Sequence, residues 1–421
     1  MSNFNKLIDR IDRMFLYYLE KIISFLPKPK RKFYIDIIYG IMKSKSIILS
    51  EISHSLNEEI LLKKTIERLS KFLNEPIEPQ LKSNLITYAL SLMPKNSLKV
   101  FCVDDTDVVK IYGKHFESIG KVKDASAINL TYENGYRVSC ITALTETTKH
   151  PIPIYDVFHS EAQLNFKSVN NYTLDGLKMI FNQLEKYTGV FIFDRGYDDN
   201  KLIKFFLENS QYFVVRLTKR RKIVIKSKKL DLMATVKRKK GKIIIPLTYK
   251  GNNLQAKASH IKVNLIGFKE PFFVVYNYLE NSEEPLILLT NREINSKGDV
   301  ISVVMNYCSR WKIEEYFRFK KTEFEFEDFR VRSLNRINHL TFVLDLAITF
   351  LSTLIENKSE LYFEIMKFSK NLKDDKSYIK FYQLISGIIT ILGHKEKGIK
   401  NKEKIEHRKK EKQLSLFNTK Y

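Results

Sequence analysis

Two aspartates stand directly behind short apolar runs, Asp104 after LKVFCV (98–103) and Asp194 after GVFIF (189–193). Continuous apolar runs of this length are the pattern of strands buried on both faces. A carboxylate at the carboxyl end of such a strand is held rigidly and opens onto the crevice where α/β sheets bind their ligands. On neighbouring strands the two carboxylates would converge. Converging oxygen donors suit a hard divalent cation such as Mg²⁺, which keeps some positions for water or substrate phosphate. The competing reading is that each aspartate stops its strand through an Asx-turn. Within DDTD (104–107) the Asp-x-Thr spacing to Thr106 favours Asp104, while Asp105, Asp107, Asp198 and Asp199 read as supporting or solvated acids.

A second group of chemical side chains lies in NYCSRWKIEEYFRFKKTEF (306–324). Helical spacing runs from Asp299 through this stretch to TFVLDLAITFLSTLI (341–355). At about 100° per residue, Tyr307, Arg310, Glu314 and Lys321 fall within about 60° of one another, on the side that Val300 and Val303 also occupy. An amphipathic helix does not place charges on its apolar side, because an unpaired buried charge costs several kcal/mol. Two readings account for the seam. One is an Arg310–Glu314 salt bridge, worth about 0.3–0.5 kcal/mol on an exposed helix. The other is that Glu314 completes a three-carboxylate metal site with Asp104 and Asp194, and that Tyr307, Arg310 and Lys321 contact phosphates of the same substrate.

The order Tyr307, Arg310, Glu314, Lys321, with its spacing, resembles the Tyr-Arg-Glu-Lys signature of bacterial DDE transposases of the insertion-sequence-four type. DDTD (104–107) and FDRGYDD (193–199) resemble that family's first two acidic motifs, in the same order. The resemblance covers roughly residues 96–355. It implies a ribonuclease-H-like core with the first acid on strand one, the second after strand four and the third on a later helix. It also implies a β-rich insertion between the second and third acids.

The chemistry so implied is DNA-mediated transposition. Two divalent ions, Mg²⁺ or Mn²⁺, held by Asp104, Asp194 and Glu314 would support in-line displacement at phosphorus. The element's end is nicked first, and the freed 3′-hydroxyl then attacks target DNA. Arg310 and Lys321 would neutralise phosphates and Tyr307 would hydrogen-bond one. Several members of the group pass through a DNA hairpin, which requires a flipped base and an aromatic platform. Phe272, Phe273, Tyr276 and Tyr278 are the candidates here, against their reading as ordinary sheet core; Trp311 reads as core. The alternatives are a nuclease of the same fold without strand transfer and a catalytically inactive DNA-binding derivative.

The elements that must position these residues give an α/β fold class preceded by an all-helical region. Residues 1–95 read as helices. Ile52, Leu56, Ile60 and Leu61 repeat at helical spacing, then Ile66, Leu69, Phe72 and Leu73, with Lys63, Lys64, Arg68 and Lys71 on the second helix. That pair fits a helix-turn-helix-like DNA module or a plain bundle equally. Strands at YRVSCITALTE (136–146) and PIPIYDVFH (151–159) and helices at 173–187 and 201–209 place the catalytic core at 96–210 and 293–365. Residues 211–292, from YFVVRL to PLILLTN, read as a β-rich antiparallel insertion. Residues 366–421 read as a basic helical or disordered region.

The bulk figures agree with a polyanionic partner. The chain has 421 residues and a net charge of +24, with a pI near 9.6. Such a balance points to nucleic acid first and an acidic membrane second, the bland alternative being a Lys-rich surface that serves solubility. The resemblance implies double-stranded DNA, element ends and target. Lys219, Arg220 and Arg221, with Lys237, Arg238 and Lys239, are the candidates for following the DNA backbone. Cys102, Cys140 and Cys308 lack metal or disulfide spacing, which points to a reducing compartment. No membrane partner is expected. The chain reads as cytoplasmic, nucleoid-associated when bound, and a homo-oligomer when assembled on DNA.

Overall fold

In the computed structural model, residues 2–124, 131–237, 241–249, 252–280, 284–369, 380–395 and 398 are described. The helical periodicity of the N-terminal region becomes α1 (Ser2–Ile23), α2 (Lys28–Ser44), α3 (Leu49–Leu56), α4 (Leu62–Leu73) and α5 (Pro79–Ser91). Pro27–Lys28–Pro29 and Pro79 open α2 and α5, where the fixed proline φ suits a first helical turn. Ile60 and Leu61 do not sit on a buried helix face. They lie in the α3–α4 loop, 51% and 76% exposed, because α3 ends at Asn57 in the left-handed region. Arg68 of α4 is paired with Asp36 and Glu58.

The chain then forms β1 (Lys99–Val109), β2 (Gly120–Asp124), β3 (Thr131–Leu144), β4 (Pro151–His159), α6 (Val169–Phe181), β5 (Gly189–Phe193), α7 (Asn200–Glu208) and β6 (Tyr212–Arg216). There follow β7 (Lys222–Ile225), β8 (Lys228–Asp231), α8 (Leu232–Lys237), β9 (Ile243–Tyr249), β10 (Asn252–Leu265), β11 (Pro271–Leu279) and β12 (Leu286–Thr290). Last come α9 (Lys297–Cys308), α10 (Trp311–Glu323), α11 (Leu334–Asn357), α12 (Glu360–Met366) and α13 (Phe381–Leu392).

The strands join one mixed sheet in the order β2-β3-β1-β5-β6-β12-β11-β10-β7-β8, with β4 also on β3 and β9 on β10. β1 is antiparallel to β3 and parallel to β5, and β5 is parallel to β6. Parallel neighbours need a crossover, and α7 supplies it between β5 and β6. Tyr212–Arg216, expected to begin the antiparallel insertion, is therefore a parallel strand beside the two that carry the aspartates. β12 pairs back onto it, so the antiparallel strands prolong the same sheet.

Side chains alternate between faces along each strand. Cys102, Cys140 and Phe158 face a core shared with α10, α11 and the N-terminal helices. Phe101, Val103 and Phe193 face α6 and α7. Val190, Ile192 and Val214 face Val300, Val303 and Val304 of α9. Among the described residues, the helix long and apolar enough to cross a membrane is α11, and 94% of its apolar window is buried inside the fold. Within the expected basic C-terminal region, α13 is apolar and buried against that first core; residues 370–379 and 399–421 lie outside the described residues.

The helical spacing read from Asp299 to 355 is divided among three helices, α9, α10 and α11. A Ser296–Asp299 capping box starts α9. It ends where the Ser309 hydroxyl donates back to the Met305 carbonyl at 3.2 Å, a contact that bends helices. Arg310 N–H reaches Tyr307 O at 3.0 Å and Ile313 N–H reaches Arg310 O at 3.1 Å, the tighter pattern of a 3₁₀ turn. The thiol of Cys102 on β1 donates to the Ser309 carbonyl at 3.6 Å and ties this junction to the sheet.

Candidate active site

Val103 of β1 pairs with Phe193 of β5 in parallel register. Asp104 and Asp194 directly follow this pair. Contrary to the strand end expected after 98–103, β1 runs on to Val109 against β3. Asp104 is therefore mid-strand, at the level where β5 ends and Asp194 leaves the sheet. The Asp105 backbone N–H donates to Asp104 Oδ1 at 3.0 Å. Burial pushes the Asp104 carboxyl up to about 7; Arg310 opposes this rise and the neighbouring Asp105 and Asp194 add to it. On Asp194, Tyr307 donates to Oδ1 at 3.3 Å and Arg216 approaches the same oxygen at 4.0 Å.

Arg310 sits at the junction of α9 and α10, its side chain 17% exposed. One guanidinium nitrogen donates to Asp104 Oδ2 at 2.6 Å and the other to Glu314 Oε1. Burial works against the Arg310 charge, but Asp104 and Glu314 outweigh it and raise its pKa further. The salt bridge anticipated as the competing explanation of the seam is therefore present, and it extends to Asp104 of β1. Glu314 lies in the first turn of α10 with its side chain 46% exposed.

Lys321 does not join this group. It is about 10 Å further along α10, where its ammonium donates to the Asp107 carbonyl at 3.0 Å and pairs with Glu327 at 2.9 Å. There it lines an open groove of about 1400 Å³ with Thr106, Lys110, Tyr112, Arg330 and Arg332. Lys321 keeps its angular side on α10, but the roughly two turns between it and Glu314 carry it along the helix axis and away from the carboxylates.

Among the described residues, no three His, Cys, Asp or Glu side chains are grouped closely enough to hold a metal ion. In type the donors fit a hard divalent cation: two carboxylates in strand register and a third reached through one guanidinium. The positive charge those oxygens require is now supplied by Arg310.

The basic cluster divides. Lys219 is half exposed and paired with Glu284, and Arg220 and Lys237 are exposed. Arg221, by contrast, is committed to the fold. It is 13% exposed and bonds Asp198 and Asn200, and the same Asp198 carboxylate accepts from the Thr218 N–H and hydroxyl. Arg238 and Lys239 lie outside the described residues. Phe272, Phe273 and Tyr276 are buried in the sheet core, and the Tyr278 hydroxyl donates to the Val236 carbonyl at 3.3 Å. Trp311 is half-buried.

A cavity of about 210 Å³ beside Asp194 escaped sequence reasoning. Arg195, Arg216, Leu247, Asn277 and Tyr307 line it. Asn277 is fully buried, and neither its Oδ1 nor its Nδ2 has a partner among the described residues. The available signal was one amide inside the apolar strand FFVVYNYL (272–279).

Comparison with protein families gives a match over residues 97–350 to the family described as Transposase DDE domain. No curated protein matches the chain.

Proposed function

The chain belongs to the DDE-domain transposase family, and we propose that it cuts and joins DNA at the ends of an insertion sequence of the insertion-sequence-four type. In this reading Asp104, Asp194 and Glu314 hold Mg²⁺ or Mn²⁺, two ions in all. When bound, such ions supply activation of the attacking oxygen and stabilisation of the leaving oxygen. The observation that carries the assignment is the Arg310 guanidinium, which joins Asp104 of β1 to Glu314 of α10 beside an Asp194 in register.

The chain's own groups have separate tasks. The Asp105 N–H fixes the Asp104 carboxylate, and the Tyr307 hydroxyl orients Asp194. Arg310 would pair with the phosphate under attack, as a bidentate guanidinium suits. Lys321 serves DNA along the groove rather than at the cut. Lys219, Arg220 and Lys237 hold the backbone from the edge of the antiparallel strands.

A ribonuclease-H-like core is supported by the strand order β4-β3-β1-β5-β6, antiparallel on one side of β1 and parallel on the other. We assign recognition of the element's ends to the helices of residues 1–95, and the working form to an oligomer assembled on DNA in the cytoplasm.

The test is a supercoiled plasmid carrying the DNA that flanks this gene, incubated with the protein and Mg²⁺ or Mn²⁺. Excised element and joined products are expected. Cleavage without joining would support a nuclease instead, and no cleavage under any metal would refute the reading.

A further inference from the structure

On the face of α10 turned away from Glu314, Tyr316 and Lys320 are one turn apart and wholly buried. The Lys320 ammonium bonds Asp156 Oδ2 of β4 at 2.5 Å and Asp345 Oδ1 of α11 at 3.2 Å. The Tyr316 hydroxyl lies 2.8 Å and 2.9 Å from the same two oxygens. The Lys320 ammonium also lies 4.1 Å from the centre of the Phe326 ring. Burial and the neighbouring Asp156 keep Asp345 protonated well above the ordinary carboxylate range. Lys320 and Asp156 then balance each other's charge.

This cluster shares a row of the sheet with the candidate active site. Asp104 pairs with Cys140 across β1 and β3, and Cys140 pairs with Asp156 across β3 and β4. Directly opposed residues point to one face, so α10 crosses that face with an ionic tie at each end of one row. At one end Arg310 meets Asp104; at the other Lys320 meets Asp156. Apolar burial of Ile313 and Phe319 holds α10 down without setting its rotation. Directional bonds set it. Glu314, half exposed and bonded to a long flexible arginine, depends on a tie elsewhere for its placement.

We propose that Lys320 is a positioning residue: with Tyr316, Asp156 and Asp345 it fixes the rotation of α10 and so presents Glu314 to Asp104 and Asp194. The inference rests on the site reading above. The experiment is Mn²⁺ binding to the full chain without DNA, followed through the paramagnetic resonance of free Mn²⁺, beside thermal unfolding. Lys320→Met alone leaves Asp156 charged and unpaired in the core, which can unfold the protein. The informative variant is therefore Lys320→Met with Asp156→Asn, which removes both charges together. We expect it to melt within a few degrees of the parent while Mn²⁺ affinity falls about 10–100-fold, the usual effect of losing support behind a metal ligand. Tyr316→Phe, which keeps the charges and loses a hydrogen bond, should give a smaller fall.

Parent-like Mn²⁺ affinity in the double variant, or its failure to fold, would overturn the positioning role. Glu314→Gln runs in parallel. If it binds Mn²⁺ as the parent does, the site reading fails; if it does not and the double variant does, the positioning inference alone fails.

Discussion

Replacing Asp104 by Asn should stabilise the metal-free protein, and by more as pH rises. The Asp104 carboxyl titrates near 7 in the fold against an ordinary 3.8. Between those values the folded state holds a proton that the unfolded chain has released. A raised carboxyl pKa therefore contributes a stability that is lost as pH increases, at about 1.4 kcal/mol per pH unit across the window. The full loss is about 4 kcal/mol above pH 7, of which roughly 1.5 kcal/mol is already incurred at pH 5. Asparagine keeps the shape and cannot ionise. The stability difference, variant minus parent, should thus grow by about 2.5 kcal/mol from pH 5 to pH 8.

The assay is urea unfolding of both proteins in chelator. Burial holds His150, His159 and His339 near 4, so they contribute the opposite slope, a gain in stability as pH rises towards 6.5. Those contributions cancel in the difference. Saturating Mn²⁺ should reverse the result, since metal binds the ionised parent and stabilises it by mass action. A difference that stays flat from pH 5 to 8, or a variant less stable than the parent at pH 8 in chelator, would refute the reasoning.

Arg310→Met removes the cation that opposes the rise of the Asp104 pKa, so the pH at which Mn²⁺ half-saturates should move upward; an unchanged pH profile of Mn²⁺ binding would contradict this. Asn277→Leu replaces a buried amide with no partner among the described residues and should raise stability in urea by about 1–3 kcal/mol. A loss of stability would show that the amide is satisfied. Lys219→Ala and Arg220→Ala should each lower the slope of log affinity for DNA against log salt by about 0.9, measured by fluorescence anisotropy. Arg221→Ala should instead leave that slope unchanged and lower the melting temperature, because it strands Asp198.

The candidate site was legible in the sequence where local pattern and register coincide. The apolar runs LKVFCV and GVFIF stop at their aspartates and pair in parallel, which brings Asp104 near Asp194. That β1 itself continues to Val109 was not legible, because the polar run after Asp104 is held in the sheet by β3. Arg310 and Glu314 were legible as a pair that needed an explanation, and its third member proved to be Asp104. Lys321 lies apart from the other three because a shared angular side says nothing of the roughly two turns of axial rise that separate it from Glu314 on α10. Like Leu286–Thr290 further on, which is antiparallel, Tyr212–Arg216 is a short apolar run. Only the hydrogen bonds to β5 show that it is parallel. Nothing in the local sequence sets Lys320 apart, since its two buried acids lie 164 and 25 residues away in the chain. Arg221 reads as one more surface cation for the same reason.

The central claim is that Asp104, Asp194 and Glu314 act as one site on DNA. The most direct measurement is cleavage of the plasmid carrying the gene's flanking DNA, in Mn²⁺, by the parent and by Asp104→Asn, Asp194→Asn and Glu314→Gln, with DNA affinity measured alongside. The account predicts that each single change abolishes cleavage while DNA affinity stays close to that of the parent. Cleavage retained by any one of the three would contradict it.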